Sequence, residues 1–250
     1  MSGHSKWSTI KRKKGIEDEK RGKIFTKLIK EMTVAAKEGG SDESSNPRLR
    51  SAISAAKSAN MPASNIDKAI KRGTGELPGI VYEEAVYEGY GPGGAALLMF
   101  TLTDNKNRTV SELRHLLTKA DGSLAGPGSV AWIFEPKGII RILKEDVDED
   151  DVFTVAVDAG AEDMQVEDDM YEIITTPENY ESVRSALDSA GIELDSSELT
   201  QLPSNSKKIE GADARKFLHL MERIEAHDDI QHVYSNFDID ESVIEELASV

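Results

Sequence analysis

The spacing of apolar residues in the first part of the chain predicts helices. Apolar residues recur at helical spacing over about Glu17–Lys37. Asn46-Pro47 combines an N-cap residue with a first-turn proline, which indicates a second helix running to about Ala59. Ser64 is expected to cap a short third helix that ends near Gly73. The pattern therefore predicts a small three-helix domain.

From Ala85 the pattern changes to short strands that alternate with helices. A strand is predicted over Ala95–Leu102, a helix over Thr109–Lys119 with a Thr109/Glu112 capping box, and another strand over Ser129–Phe134. The glycine-rich segment 89–94 favours a tight turn, because it lacks the Gly-Lys-Ser/Thr of a phosphate loop and precedes a strand.

Residues 138–202 predict a complete βαββαβ unit, the split βαβ of ferredoxin-like domains. The expected strands are 138–143, 163–166, 171–175 and 192–199, and the expected helices are 149–159 and 178–190. A helix over 213–225 and a strand over 231–237 follow, and Lys208-Ile209 is a weak strand start.

The predicted fold class is α+β: an N-terminal three-helix domain followed by two ferredoxin-like α/β domains, the second inserted into the first. The expected domains are an arm and helical domain over 1–76, a discontinuous domain over 77–135 plus 205–240, and an inserted domain over 136–204.

Charge divides the chain more sharply than hydrophobicity does. Residues 1–75 hold 17 Lys and Arg against 8 Asp and Glu, whereas residues 76–250 hold 13 Lys and Arg against 38 Asp and Glu. The net charge of the whole chain is −16. A basic segment on an acidic body favours contact with a polyanion. Because the acidic remainder would repel nucleic acid, we expect any such contact to be made through the N-terminal part.

The candidate nucleic-acid contacts are basic residues, plus one tryptophan that could stack on a base or ribose. A flexible arm is expected over residues 1–14, and four lysines of the first helix are expected to form one exposed stripe. An ordinary solvated tail and a solvated lysine face are the alternatives. The candidates are Lys6, Trp7, Lys11, Arg12, Lys13, Lys14, Lys20, Lys23, Lys27, Lys30, Arg48, Arg50 and Arg72.

Other chemistry has little support in the sequence. The chain has no cysteine, which excludes disulfides and thiolate metal sites. No stretch approaches the roughly 20 apolar residues of a membrane span, and the N-terminus does not resemble a secretory signal. Asn107 and Arg108, at a strand-to-helix turn, are candidate anion ligands, with an ordinary capped turn as the alternative. We expect no catalytic residues, no metal site and no cofactor.

Several longer motifs run along the chain: MSGHSKWSTIKRKKG at the start, then residues 46–50, 60–62, 66–73, 87–94, 103–109 and 128–132. Together they resemble the YebC/PmpR family, and the resemblance covers essentially the whole chain.

The resemblance implies a helical domain followed by two α/β domains, in a cytoplasmic DNA-binding transcriptional regulator. Relatives that associate with ribosomes and help synthesis through proline-rich stretches imply an alternative target, ribosomal RNA. A protein-binding scaffold that uses the acidic domains is a third hypothesis. Protein partners and the oligomeric state are left open by the sequence.

Overall fold

The computed structural model describes residues 18–167, 169–240 and 242–244. The helices are α1 Asp18–Gly39, α2 Pro47–Ser58, α3 Ala63–Gly73, α4 Lys106–Lys119, α5 Glu149–Asp158, α6 Tyr180–Ser189 and α7 Gly211–Glu225. The strands are β1 Glu83–Tyr90, β2 Ala96–Thr103, β3 Ser123–Ala125, β4 Phe134–Leu143, β5 Asp163–Val166, β6 Met170–Thr175, β7 Ser196–Pro203, β8 Lys207–Lys208, β9 Ile230–Ser235 and β10 Phe237–Asp238.

The first three helices share one core, in which alanines allow close approach. Its buried members are Met32, Ala35, Ala36, Leu49, Ala52, Ile53, Ala56, Met61, Ile66 and Ala69. Asn46 caps α2 as predicted, since its Oδ1 accepts from the Leu49 amide at 3.0 Å. Its Nδ2 donates to the Ala35 carbonyl at 2.8 Å, which ties the start of α2 to α1. The predicted Ser64 cap is wrong, because α3 begins at Ala63 after Pro62 and has no side-chain cap.

A four-stranded antiparallel sheet follows, with the order β3-β1-β2-β9. Helices α4 and α7 pack against it. The one-turn helix Pro92–Gly94 joins β1 to β2 and confirms the predicted turn. A Cβ on Gly91 would lie 2.6 Å from the Phe217 ring, so α7 approaches this turn too closely for any side chain there.

The second sheet is also antiparallel and has the order β5-β6-β4-β7. Its elements follow one another as βαββαβ, with α5 and α6 enclosing a core that includes Ile140, Val152, Ile173 and Leu187. This whole unit lies in the sequence between β3 and β9 of the first sheet. Mixed helices and antiparallel sheets confirm the predicted α+β class.

Strands β1 and β3 were not predicted, and three predictions about this part of the chain are wrong. Strand β8 is not a member of the four-stranded sheet. Helix α4 begins at Lys106 with Asn105 as its cap, while Thr109 is fully buried and makes no capping box. Residues 129–133 are not a strand.

The segment before β4 is held in place by one carboxylate instead of by a sheet. Glu88 accepts the amides of Gly128 and Val130 at 2.6 Å each and that of Ala131 at 2.9 Å. Burial alone would raise the pKa of Glu88, but these backbone donors lower it below the usual value. A single 3₁₀ turn over Ala131–Ile133 then leads into β4.

The chain divides into two compact units. One contains residues 132–206 and 236–238, and the other contains residues 18–131, 207–235, 239–240 and 242–244. The finer division into three domains stays a prediction. Within the described ranges, no helix is both long and apolar enough to cross a membrane.

Candidate nucleic-acid interface

Helix α1 uses two of its faces for internal packing. Met32 and Ala36 face α2 and α3, as the periodicity predicts. Lys27 and Lys30 lie on another face and contact the first sheet domain. The Lys27 ammonium donates to the Glu225 carbonyl at 2.6 Å, at the end of α7. The predicted exposed stripe is therefore wrong at these two positions.

Lys30 is buried, and its ammonium binds three acceptors. It lies 2.6 Å from the Asp229 carboxylate and 3.0 Å from the Asp228 carbonyl, and it also reaches the Leu102 carbonyl. Only 6% of Lys30 is exposed, so it is not available to a phosphate. Its positive charge attaches α1 to the acidic sheet domain.

Asp229 is the centre of this contact. Besides Lys30, its second oxygen accepts from Arg108 and Thr109 at 2.8 Å each and from Thr103 at 3.2 Å. Burial would raise the pKa of Asp229, but the hydrogen bonds from Lys30, Arg108 and Thr109 outweigh it and hold the pKa far below its usual range. The carboxylate is thus charged and fully satisfied at neutral pH.

Arg108 has a structural role that the sequence did not predict. Its guanidinium donates to Asp229 and, at 2.8 Å, to Asp104, and these contacts raise its pKa against the opposing effect of burial. Two carboxylates already occupy the group that was predicted to hold an anion, which disfavours that role. Asn107, the other candidate anion ligand, is exposed in the first turn of α4, which Asn105 caps.

Three potential metal ligands meet beside this cluster, namely Glu112, His227 and Asp229. The Asp229 amide donates to Nδ1 of His227 at 3.1 Å, so that nitrogen carries no proton. The ring proton then sits on Nε2, 2.8 Å from Glu112. A metal ion at Nε2 would displace that proton, and Asp229 is already neutralised by two cations. The geometry suits a hydrogen-bond chain better than a cation site.

Arg48 also makes internal contacts. It donates to Glu31 at 2.6 Å, and it lies 2.8 Å from Glu38 and 2.6 Å from Glu84. The hydrogen bond to Glu31 is the main cause that raises its pKa. Arg48 joins α1, α2 and β1, so three carboxylates compete with any phosphate for it.

The outer faces of α2 and α3 keep their positive charge. Residues 47–73 hold six Lys and Arg and one acidic residue, Asp67, which pairs with Lys71 at 2.9 Å. Arg50, Lys57, Lys68 and Arg72 are exposed. Within the described part of the chain, Lys57 and Lys68 form no ion pair. Short side chains, including Ser51, Ser54 and Ser58, separate these cations along α2 and would let a phosphate backbone approach closely.

The other predicted contacts have mixed outcomes. Lys23 is exposed near the start of α1. The side chain of Lys20 and the arm with Lys6, Trp7, Lys11, Arg12, Lys13 and Lys14 lie outside the described residues.

Lys57 and Lys68 were not among the predicted contacts. Their signal was helical spacing: the buried positions Leu49, Ile53, Ile66 and Ala69 leave both lysines on the outer side of their helices.

Comparison with known proteins covers nearly the whole chain. Residues 5–76 match the family model "TACO1/YebC protein N-terminal domain", and residues 82–237 match "TACO1/YebC second and third domain". A protein from Natranaerobius thermophilus named "Probable transcriptional regulatory protein" is 54% identical over 98% of this chain and 99% of its own. One from Geobacter sulfurreducens with the same description is 53% identical over 99% and 100%.

A solved structure agrees with the sequence matches. The crystal structure of a conserved hypothetical protein from Aquifex aeolicus is 43% identical, with a TM-score of 0.78, and covers 89% of this chain and 92% of that one. The family models together span both the helical domain and the two sheets. The chain belongs to the TACO1/YebC family.

Proposed function

We propose that this protein is a non-enzymatic regulatory protein that binds nucleic acid through its basic arm and the outer faces of α2 and α3. The observation that supports this is the set of exposed cations Arg50, Lys57, Lys68 and Arg72. They lie on the same helical domain in which Lys27, Lys30 and Arg48 are engaged internally. Phosphate contacts of this kind give affinity and orientation without reading bases. The acidic remainder would keep the rest of the molecule away from the polymer.

Promoter DNA is the target that we propose first, since relatives of more than half identity are named as probable transcriptional regulatory proteins. Ribosomal RNA is the second candidate. Its support is that the exposed lysines and arginines of this surface would bind the phosphates of either polymer. Both targets are compatible with a cytoplasmic protein.

The test is a salt titration of binding. Each phosphate contact that is lost should reduce the slope of log affinity against log salt by about 0.7–0.9. The double variant Lys57→Ala/Lys68→Ala should lose up to two such contacts. Replacing Lys11, Arg12, Lys13 and Lys14 by Ala tests the arm separately. Lys119→Ala, an exposed lysine of α4, is the matched control and should leave the slope unchanged.

The targets are separated by competition between duplex DNA and ribosomal RNA at one salt concentration, supported by cross-linking in cells and sequencing of both polymers. An unchanged slope in both the helix and arm variants would reject the proposed interface. A protein that binds neither polymer would favour the third hypothesis, a scaffold whose acidic domains recruit other proteins.

A further inference from the structure

Strand β7 forms one outer edge of the second sheet. It is the longest outer strand in the two described four-stranded sheets, with eight residues against three, four and six in β3, β5 and β9. Proteins usually protect such an edge by keeping it short or by placing lysine or proline on it. Residues 196–203 contain no lysine, and their one proline, Pro203, is the last residue of the strand. Strand β7 therefore keeps the features of an edge that can pair with another strand.

The register shows which backbone groups of β7 point away from the sheet. Gln201 is paired with Pro136 of β4. Because proline has no N–H, this pair cannot exchange the two hydrogen bonds of a bonded pair. Bonded and non-bonded pairs alternate along an antiparallel ladder, so Ser197 and Leu199 are of the same non-bonded type as Gln201. These three residues direct their N–H and C=O groups outward, where none of them bonds to another strand in the described part of the chain.

The side chains along this edge differ on the two sides of the sheet. Leu199 is 57% exposed and is paired with Gly138, on the side where α6 packs. A Cβ on Gly138 would lie 2.5 Å from the Tyr180 ring, so that ring is next to Leu199. Glu198 projects to the other side, where Arg141 binds it at 3.1 Å and 52% of its side chain stays exposed. An added strand would meet an apolar site on one side and a carboxylate on the other.

The charge of the surrounding segment decides which kind of strand would be attracted. Residues 136–204 hold 4 Lys and Arg against 19 Asp and Glu. The four cations are already engaged, because Lys137, Arg141 and Arg184 form ion pairs and Lys144 lies over a tyrosine ring. This segment would repel a polyanion, and it would equally repel a second copy of itself. Charge therefore favours a cationic partner.

We propose that β7 binds an extended segment of another protein, rich in lysine or arginine, which adds a fifth strand to the sheet. In this mode of recognition, backbone hydrogen bonds to Ser197, Leu199 and Gln201 give affinity, and alternate side chains give specificity. The residue opposite Leu199 is apolar and its neighbours are basic, so that one of them lies beside Glu198. The segment comes from a different protein because the function proposed above assigns the cations of residues 1–14 to nucleic acid. The site itself is separate from α2 and α3 and goes beyond that function.

The test uses the full chain and a labelled ten-residue peptide of alternating lysine and valine, in fluorescence anisotropy. The peptide should bind with an affinity that falls as salt is added, because salt screens the attraction between opposite charges. The same peptide with N-methylated valines keeps its charge but loses the backbone donors that face the edge. It should bind at least about tenfold more weakly, since three hydrogen bonds are lost. A peptide with glutamate in place of lysine should not bind.

Variants of β7 test the same contact from the protein side. Leu199→Pro removes one outward N–H and no bond to β4, so it should weaken peptide binding by about 2- to 13-fold. Leu199→Ala removes the exposed apolar side chain and keeps the donor, so it also weakens binding and keeps the test informative if the proline variant folds poorly. Val157→Ala, which shortens a 47% exposed residue of α5, is the matched control and should leave the affinity unchanged.

Equal affinity for the plain and the N-methylated peptide would overturn the inference, because the contact would then be charge attraction alone. Unchanged affinity in Leu199→Ala, and in Leu199→Pro if that variant folds, would overturn it as well. Binding that appears only after deletion of residues 1–14 would assign the edge to the chain's own arm. Concentration-dependent sedimentation that Leu199→Pro abolishes would assign it to a second copy, and either result overturns the assignment to another protein. No nucleic acid enters these measurements, so their failure is distinct from failure of the proposed function.

Discussion

The ion pair between Lys30 and Asp229 should make a large contribution to stability. The side chains are 8% and 3% exposed, and the two charged atoms are 2.6 Å apart. Asp229→Asn keeps the shape of the side chain but removes the charge that faces both Lys30 and Arg108. Because Lys30 is buried, its ammonium cannot recover water without moving α1. Removing one partner of a buried pair typically costs about 3–5 kcal/mol, which is a large share of a domain's stability.

Urea denaturation followed by circular dichroism measures this change in the free energy of unfolding. Lys30→Met should lower the free energy of unfolding less than Asp229→Asn does, because Asp229 would keep its hydrogen bonds from Arg108, Thr103 and Thr109. The double variant completes a thermodynamic cycle, and its coupling energy isolates the pair. Lys216→Met breaks an exposed pair of equal length with Asp121 and should cost less than about 1 kcal/mol.

The same contact should give a defined pH dependence. The pKa of Asp229 is lower in the folded protein than in the unfolded chain, so its stabilising effect is fully present above about pH 4 and is lost as the pH falls towards the folded value. The difference in the free energy of unfolding between wild type and Asp229→Asn should therefore shrink below that pH and stay constant above it. The reasoning would be refuted if Asp229→Asn lost no more stability than Lys216→Met, or if the coupling energy between Lys30 and Asp229 were near zero.

Three further substitutions test other buried polar contacts, each by urea denaturation. Asn46→Ala removes the cap of α2 and should cost about 1–2 kcal/mol, and a change within error would contradict the capping role. Glu88→Gln should lower the free energy of unfolding by about 1–3 kcal/mol, because the new amide nitrogen would face a backbone N–H donor. It should also make residues 126–131 more sensitive to proteolysis, and a segment as resistant to protease as in the wild type would exclude this role. Arg141→Met leaves Glu172, which is 2% exposed, without its 2.9 Å partner and should cost about 3–5 kcal/mol. Its matched control, Arg184→Met, breaks the exposed pair with Glu181 and should be nearly silent.

Local signals in the sequence predicted the helical domain and the inserted βαββαβ unit well. Asn46-Pro47 carries its own cap, and the strand Asp163–Val166 has the predicted bounds. Such features depend on neighbours within a few residues, so periodicity and capping rules can find them. Thr109 shows where these rules fail: it resembles a cap but is buried, because its hydroxyl binds Asp229 from 120 residues away.

The candidate site was harder to predict because charge alone does not say what a lysine binds. Lys23, Lys27 and Lys30 share a helical stripe, yet Lys30 meets a carboxylate 199 positions later in the chain. Similarly, Gly128 and Ala131 lie in a segment whose conformation is set by Glu88, 40 or more residues earlier. The partners in both cases are distant in sequence, so no local window could identify them.

The interruption of the first sheet by a whole folding unit has a consequence for synthesis. During translation, β2 leaves the ribosome without β9, and the Lys30 side chain leaves it without Asp229. The interrupting βαββαβ segment emerges complete before either partner does, and it can fold in the meantime. The basic helices would therefore dock late, after nearly the full polypeptide has been made. A release of the nascent chain before residue 229 would leave the edge of β2 without β9 and Lys30 without its carboxylate partner, and an open strand edge promotes aggregation.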